Sequence, residues 1–365
     1  MPPVTVMIKP VSGACNMRCR YCFYADEMNN RGTDIYPAMD DETLETLVRR
    51  VMRYADAQAT FVFQGGEPTL AGVDFYKKLL ALQKKYRRAD VQVLNSLQTN
   101  GYHLSDEMIA LFAENHFLLG VSLDGCEMTH DLLRKDAKGQ GTFAPILRNI
   151  RRLQKAGVEF NILCVVNDAV ARNADAVLDC LAEFDFLQFI PCLDNLDGTT
   201  HSHSLTDEAY GEFLEKAFAR YTQAFFSSRR VSIRTFDNWV AMLLGMPPEN
   251  CAMRGVCSPG FLVESTGDVY PCDFYALDEW KLGNIREHSL RQLHRAPQAK
   301  AFEEVSLPVP DGCRACPFYA LCRNGCRRER DPETGIYRFC HAMKRFFEAH
   351  IGDLKEMAEA VKRSS

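Results

Sequence analysis

The sequence has no long apolar run: across 365 residues nothing approaches the roughly 18 consecutive apolar residues that a membrane helix needs. Its opening stretch, MPPVTVMIKP, lacks the apolar core of a secretory signal. Both absences argue against a membrane and predict a cytoplasmic protein. Positive charge is not in excess either. A net charge of -5 provides no overall basic field for a nucleic-acid backbone or an anionic lipid surface, so neither is an expected partner. Low-complexity tracts are missing, and no internal repeat stands out. What is present is an ordinary globular composition, 47% hydrophobic and 25% charged, in a chain long enough for two or three domains.

Cysteine is the residue the chain has in plenty. There are 15, an odd number, in a large chain without an export signal, where cysteines bind metal more often than they pair as disulfides. Cys15, Cys19 and Cys22 form one group, in CNMRCRYC, with no fourth cysteine nearby. Cys126, Cys164, Cys180 and Cys192 are scattered among apolar residues and read as small buried hydrophobes. The other eight, Cys251, Cys257, Cys272, Cys313, Cys316, Cys322, Cys326 and Cys340, crowd into the last third and suffice for two four-thiolate sites. CxxC pairs of this kind also make zinc ribbons.

Between the two cysteine regions, short β-branched runs alternate with helical periodicity. Strands are predicted near 4–11, 60–64, 91–97, 117–123, 159–166 and 186–192, and helices near 41–55, 73–86, 105–115, 143–156 and 171–184. Runs such as FNILCVV are apolar throughout, as parallel strands covered on both faces require. The fold class is therefore α/β, a partial (β/α)6 barrel. The polar stretch DNLDGTTHSHSL (194–205) ends the alternation, and two helices near 206–227 and 235–245 lead to the cysteine-rich region. In such an array chemistry gathers at the C-terminal ends of the strands. The cysteine loop, Gln64-Gly65-Gly66-Glu67-Pro68, Gln98-Thr99-Asn100-Gly101, Ser122 with Asp124, and Pro191-Cys192-Leu193 all fall there.

Three thiolates on a 4Fe-4S cluster leave one iron without a protein ligand, and an open coordination site marks a reactive centre. The CxxxCxxC spacing, with an aromatic residue before the last cysteine, resembles the radical S-adenosylmethionine (SAM) family. The resemblance implies that SAM fills the vacant site. It further implies that Gly65, Gly66 and Glu67 form the loop for the SAM amino group. Ser122, Asp124 and Arg134 would serve the ribose and carboxylate, and Tyr21, Phe23 and Leu193 the adenine end. The later spacing, Cys257-x9-Gly267-x4-Cys272 then Cys313-x2-Cys316-x5-Cys322-x3-Cys326 and Cys340, is similar to the SPASM extension of that family. It implies two auxiliary 4Fe-4S clusters, one on Cys251, Cys257, Cys272 and Cys326 and the other on Cys313, Cys316, Cys322 and Cys340. The expected organisation is a radical SAM partial barrel (1–205), a helical linker (206–250), a SPASM iron-sulfur domain (251–341) and a C-terminal helix (342–365).

CNMRCRYCFY, FVFQGGEPTLAG, NSLQTNG, VSLDG, LQFIPCLD, VYPCDFYALDEWKLGNI and CRNGCRR together resemble the anaerobic sulfatase-maturating enzymes. The resemblance implies oxidation of a Cys or Ser, in a Cys/Ser-x-Pro/Ala-x-Arg motif of an unfolded sulfatase polypeptide, to formylglycine. Three 4Fe-4S clusters, SAM as cosubstrate, and an external one-electron donor such as flavodoxin or ferredoxin go with it. A radical from SAM would take a hydrogen atom from the target Cβ, and Asp273, next to Cys272, would be the base. A free thiol titrates near about 8.5 and an Asp near about 3.9, so burial should raise Asp273 toward a useful value. Tyr24, Gln64, Gln98, Thr99, Asp194 and Arg234 are candidate hydrogen-bonding partners of an extended peptide. Because the barrel pattern begins at once, recognition is expected in its mouth. The alternatives are another SPASM peptide modifier, forming thioether or carbon-carbon crosslinks, and more distantly a non-catalytic zinc-binding adapter.

Overall fold

The computed structural model describes residues 3–364 apart from 34, 228 and 230; the expected domain limits at residues 1 and 365 lie outside the described residues. Ten strands occur among them: β1 (Val4–Ile8), β2 (Gln58–Phe63), β3 (Gln92–Thr99), β4 (Leu118–Ser122), β5 (Phe160–Val166), β6 (Phe186–Pro191), β7 (Ser232–Ile233), β8 (Phe261–Val263), β9 (Asp268–Tyr270) and β10 (Gly283–Asn284). The helices between them begin with α1 (Phe23–Asn29), α2 (Asp41–Tyr54), α3 (Val73–Tyr86), α4 (Asp106–Glu114), α5 (Glu127–Leu133) and α6 (Phe143–Ala156). They continue as α7 (Asp168–Arg172), α8 (Ala174–Leu181), α9 (Asp207–Phe226) and α10 (Arg234–Leu243), and a helix over Cys340–Ser364 ends the described chain. The six strands and the helices expected from periodicity are present. One differs: the helix expected near 171–184 is two, broken where Asn173 leaves helical geometry (φ -108°, ψ 30°). Among the described residues no helix is long and apolar enough to cross a membrane.

Chain packing divides into two compact units. The first comprises Met1–Ser122, Asp131–Phe160 and Pro259–Phe302. In it the strands run β10-β9-β8-β1-β2-β3-β4. From β8 to β4 neighbours are parallel, with Val6 of β1 opposite both Phe61 and Phe261. The pairs β8–β9 and β9–β10 are antiparallel. Its helices start where short polar side chains satisfy free backbone N–H groups: Asp40 accepts from Thr43 N–H at the head of α2, and Ser105 from Met108 N–H at the head of α4. An aromatic core of Phe63, Tyr76, Phe112 and Phe117 packs edge-on or tilted behind β2 to β4.

The second unit comprises Leu123–His130, Asn161–Ser258 and Glu303–Ser365. It holds the parallel strands β5-β6-β7 and packs α9 and α10 against the C-terminal helix. Phe218, Phe236, Trp239, Phe346 and Phe347 meet there with ring centroids 4.9–6.0 Å apart. Of the eight C-terminal cysteines, Cys272 lies in the first unit and the rest in the second. Residues 259–302, which the sequence boundaries place in the cysteine-rich domain, pack with the first unit, because β8 adds to the free edge of β1.

One buried ion pair anchors that addition. Arg31 donates from Nη1 to Glu264 Oε2 (2.9 Å) and from Nη2 to Ser12 Oγ (3.0 Å), and the Arg31 and Glu264 side chains are 1% and 0% exposed. Arg31→Met is expected to destabilise the first unit by about 3–5 kcal/mol, since it strands a buried carboxylate. Urea unfolding in a Trp239→Phe background, where Trp280 alone reports on this unit, measures it. A loss under about 1 kcal/mol would show Glu264 to be neutralised some other way.

Candidate active site

The site in the first unit starts where β1 ends. The chain turns at Ser12, which has φ +54°, into the loop carrying Cys15, Cys19 and Cys22. The loop after β2 grips it from the side: Gly66 N–H donates to Ser12 O (3.0 Å) and Glu67 N–H to Ala14 O (2.8 Å). There is no room for a side chain there. A Cβ on Gly66 would lie 2.1 Å from Ala14 O, and one on Gly65, at φ +109°, would lie 2.8 Å from Ser12 O. Glu67, buried, accepts from Thr69 N–H and Oγ, from Thr99 Oγ (2.9 Å) and from Asn100 N–H (2.7 Å). Its carboxylate thus fastens the loops after β2 and β3 together. Burial raises its pKa against those donors. Thr99, expected to meet substrate, spends its hydroxyl on Glu67, while Gln98 beside it is exposed.

The three thiols are partly buried and have donors aimed at them. Met17 N–H (3.4 Å) and Asn100 Nδ2 (3.7 Å) point at Cys15 Sγ, and Arg134 Nη1 (3.9 Å) at Cys19 Sγ. The Arg134 guanidinium also covers the Tyr21 ring at 5.5 Å. Burial pushes the Cys15 thiol up. Three thiols from one loop with N–H donors on their sulfurs fit a sulfur-ligated cluster. Among the described residues no group of three or more Cys, His, Asp or Glu side chains is gathered as the ligand set of a single metal ion. Ser122, half-buried, ends β4.

Directly after Cys22, α1 turns Phe23, Tyr24 and Glu27 toward the turn Asp273–Tyr275. Positions three and four apart share a helix face, which is why these meet one surface. Phe23 packs edge-on against Phe274 at 5.0 Å. Tyr24 OH donates to Asp273 Oδ2 (2.7 Å), and Glu27 Oε1 accepts from Ala276 N–H (2.7 Å). Lys9, the first residue past β1 and 2% exposed, donates to Glu27 Oε2 (2.6 Å) and stands 3.7 Å from Asp273 Oδ1. That Oδ1 is buried and makes no close hydrogen bond. Burial raises Asp273's pKa, opposed by the Lys9 charge and by hydrogen bonds from Tyr24 and Gln64. Gln64, also buried, points Nε2 at Met7 Sδ (3.2 Å). Lys9 and Glu27 were missed from sequence; the available signal was a lone lysine closing an otherwise apolar strand.

In the second unit, Asp124 accepts from Val165 N–H (2.9 Å) and its own N–H donates to His130 Nδ1. Asp194 is held by Arg338, which also donates to Cys192 O, and by Ser204 Oγ. Arg338 was not singled out from sequence. Leu193 between them is half-buried. Burial pushes the Cys192 thiol up to about 12, consistent with a small core hydrophobe. Arg234 donates to Gln188 Oε1 (3.0 Å), within the unit. Cys313, Cys322 and Cys340 lie close enough to neighbouring thiols, that of Cys316 among them, for those thiols to raise their pKa. Burial, the larger cause, brings Cys322 to about 11. Burial likewise raises the Cys257 thiol, and Cys251 nearby adds to the effect. Asn324, at φ +64°, lies beside Cys313 Sγ (3.6 Å) and accepts from Tyr337 N–H, shaping the turn that leads to Cys326.

Comparison with known proteins agrees with this geometry. Residues 10–170 match the Radical SAM superfamily, and residues 255–317 match an iron-sulfur cluster-binding domain, SPASM. The chain is 43% identical to a cysteine-type anaerobic sulfatase-maturating enzyme of Clostridium novyi, over 99% of each chain. It is 31% identical to a serine-type anaerobic sulfatase-maturating enzyme of Bacteroides thetaiotaomicron, over 95% of this chain and 89% of that one. A solved structure of native anSMEcpe with bound AdoMet and Cp18Cys peptide superposes with a TM-score of 0.93 at 40% identity, covering 99% of this chain and 100% of that one. The α/β fold, with a radical SAM partial barrel, a SPASM region and a C-terminal helix, is that of these proteins.

The tightness at Gly66 has a consequence. Gly66→Ala is expected to displace the cysteine loop, so that the protein keeps its far-UV circular dichroism but loses the iron of one cluster. Iron and sulfide analysis after anaerobic purification checks this. Full iron content would mean that the loop yields to a methyl group.

Proposed function

The chain belongs to the anaerobic sulfatase-maturating enzymes of the radical SAM superfamily, and we propose that its own residues carry out that family's oxidation on a cysteine, with Asp273 as the base. The reaction converts a Cys or Ser side chain in a sulfatase Cys/Ser-x-Pro/Ala-x-Arg motif to Cα-formylglycine, using SAM and three 4Fe-4S clusters. The preference for cysteine rests on the relatives: those named cysteine-type are 40–43% identical, and those named serine-type 31–32%. The substrate is an unfolded sulfatase polypeptide, and an external one-electron donor completes the proposal, since reductive cleavage of SAM consumes an electron. The domain limits at 205, 250 and 341 are likewise proposed; the family matches over 10–170 and 255–317 support them.

Turning CH2–SH into an aldehyde removes a hydrogen atom, a proton and an electron before water replaces sulfur. When bound, SAM on the open-iron cluster supplies the hydrogen-atom acceptor and the auxiliary clusters the electron acceptor. The chain's residues do the rest. Cys15, Cys19 and Cys22 hold the first cluster, with Asn100 and Arg134 donating toward their sulfurs. In the first unit Tyr21, Phe23, Gly65, Gly66, Ser122 and Arg134 orient SAM. In the second unit Cys313, Cys316, Cys322 and Cys340 hold one auxiliary cluster.

Proton transfer falls to Asp273, and one observation carries that assignment. Its Oδ2 is occupied by Tyr24 OH, whereas its buried Oδ1 makes no close hydrogen bond and so has lone pairs to offer. Tyr24 orients the carboxylate, and Gln64 is a further donor to it.

With a peptide deuterated at the cysteine Cβ, the protein is expected to form deuterated 5'-deoxyadenosine and an aldehyde whose mass has lost sulfur. A sulfur-retaining product would instead mark a crosslinking enzyme. Asp273→Asn keeps the shape and removes the base. It should still transfer deuterium, but its formylglycine yield should fall by about 100-fold or more. Normal aldehyde yield would assign the proton to another group, and loss of deuterium transfer with SAM still bound would make Asp273 a peptide-orienting residue.

A further inference from the structure

Lys9 and Glu27 sit behind the reacting carboxylate, and nothing in the reaction as derived so far uses them. Glu27 spends both oxygens: Oε2 takes Lys9 Nζ at 2.6 Å, and Oε1 takes the N–H of Ala276 at 2.7 Å, three residues after Asp273. The far end of the turn that carries Asp273 is thereby tied to α1. Lys9 does the complementary thing at the near end. Its ammonium is 2.6 Å from Glu27 but 3.7 Å from Asp273 Oδ1, and it lies 4.6 Å from the Tyr24 ring centroid. It faces Asp273 without bonding it closely. A lysine placed only to neutralise one buried carboxylate would need one partner; this one is shared between Glu27, which it hydrogen-bonds, and Asp273, which it meets as a longer ion pair.

We propose that Lys9 and Glu27 are positioning residues that hold the turn carrying Asp273 in place against α1 and so couple hydrogen-atom abstraction to completion of the oxidation. The inference rests on the reading of Asp273 as the base. In the coupled sequence the Cβ–H bond breaks and its hydrogen atom passes to the 5'-deoxyadenosyl radical that bound SAM would supply, giving 5'-deoxyadenosine. The S–H bond then breaks as the carbon-sulfur double bond forms, its proton passing to the Asp273 carboxylate and one electron leaving to the acceptor that an auxiliary cluster would supply. Without the clamp the first event proceeds and the second lags, so abstraction occurs without product.

The test uses the cluster-loaded protein under anaerobic conditions, with SAM, a chemical reductant and a Cβ-deuterated Cys-x-Pro-x-Arg peptide, reading formylglycine per deuterated 5'-deoxyadenosine. Lys9→Met alone would strand two carboxylates, so it is combined with Glu27→Gln, which removes the ion pair as a unit and leaves an amide oxygen for Ala276 N–H. In this double variant the ratio is expected to drop by about tenfold or more, with deuterium transfer within about threefold of the parent. Lys9→Arg, keeping the charge, should restore the ratio to within about threefold of the parent. Separately from turnover, amide exchange at Ala276 should accelerate by about tenfold in Glu27→Ala and stay near the parent rate in Glu27→Gln, as loss of one buried acceptor implies.

An unchanged ratio in the double variant overturns the proposal. So does an equal fall of both products in the double variant and in Lys9→Arg, because that is a structural defect and not uncoupling. If the double variant does not fold, Glu27→Asp decides: its shorter side chain cannot reach both Lys9 and Ala276, and an unchanged ratio there again overturns the proposal. A parent protein that makes no formylglycine at all overturns the functional reading and this inference with it, whereas a productive parent with insensitive variants overturns the inference alone.

Discussion

A buried ammonium has to be matched by negative charge, and Lys9 is matched by two carboxylates instead of one. The first unit buries Lys9, Arg31, Glu27 and Glu264 almost completely, and Asp273 with a side chain 15% exposed. Two cations face three carboxylates. Arg31 and Glu264 pair at 2.9 Å and Lys9 and Glu27 at 2.6 Å, which leaves Asp273 with the longer of the two ion pairs of Lys9, at 3.7 Å. Buried ion pairs of this kind are poor sources of stability, because desolvation cancels most of the attraction. The arrangement therefore makes more sense as chemistry than as a staple. It keeps a carboxylate in a largely dry place, oriented by Tyr24, with its second oxygen buried beside the Lys9 ammonium and making no close hydrogen bond.

The second constraint is steric. The cysteine loop owes its shape to the glycine loop, whose backbone N–H groups reach its carbonyls only because residues 65 and 66 carry no side chains. Glu67 then extends the grip to Thr99 and Asn100, and Asn100 in turn directs Nδ2 at Cys15 Sγ. The ends of β1, β2 and β3 are thus locked into one object by backbone and carboxylate hydrogen bonds. A reactive metal centre needs that rigidity, because a ligand loop free to move by an ångström would misplace the reacting atoms.

The sequence is informative about anything periodic or local. The six βα strands are legible from apolar runs, the cysteine groups from spacing, and Gly65-Gly66 from their place at a strand end together with the family resemblance. Asp273 was found only through its neighbour Cys272 and a family resemblance. Lys9 and Glu27 were not found at all, and the reason is physical: a lysine and a glutamate are read as solvated unless something shows them buried. What buries them is long-range. Lys9 meets Glu27 across 18 residues, and Glu27 meets Ala276 across 249. Strands β7 to β10 were missed because two or three residues carry no period, and α1 because seven residues beside a cysteine motif read as loop. Packing of 259–302 with the first unit depends on strand pairing between β1 and β8, for which neither strand carries a signal.

Covalent adjacency explains why so few residues can serve two one-electron events. Cys22, a ligand of the first cluster in our reading, is followed at once by Phe23 and Tyr24. Cys272, an expected auxiliary-cluster ligand, is followed at once by Asp273 and Phe274. The two short segments touch twice, Phe23 against Phe274 and Tyr24 to Asp273, both within the first unit. The base we propose, carried on such a bridge, cannot drift relative to the loop proposed to hold the first cluster, because only backbone bonds, one ring contact and one hydrogen bond lie between them. Hydrogen-atom transfer and proton transfer, though performed by different groups, are thereby given a common frame, and Lys9 at the end of β1 anchors that frame to the sheet.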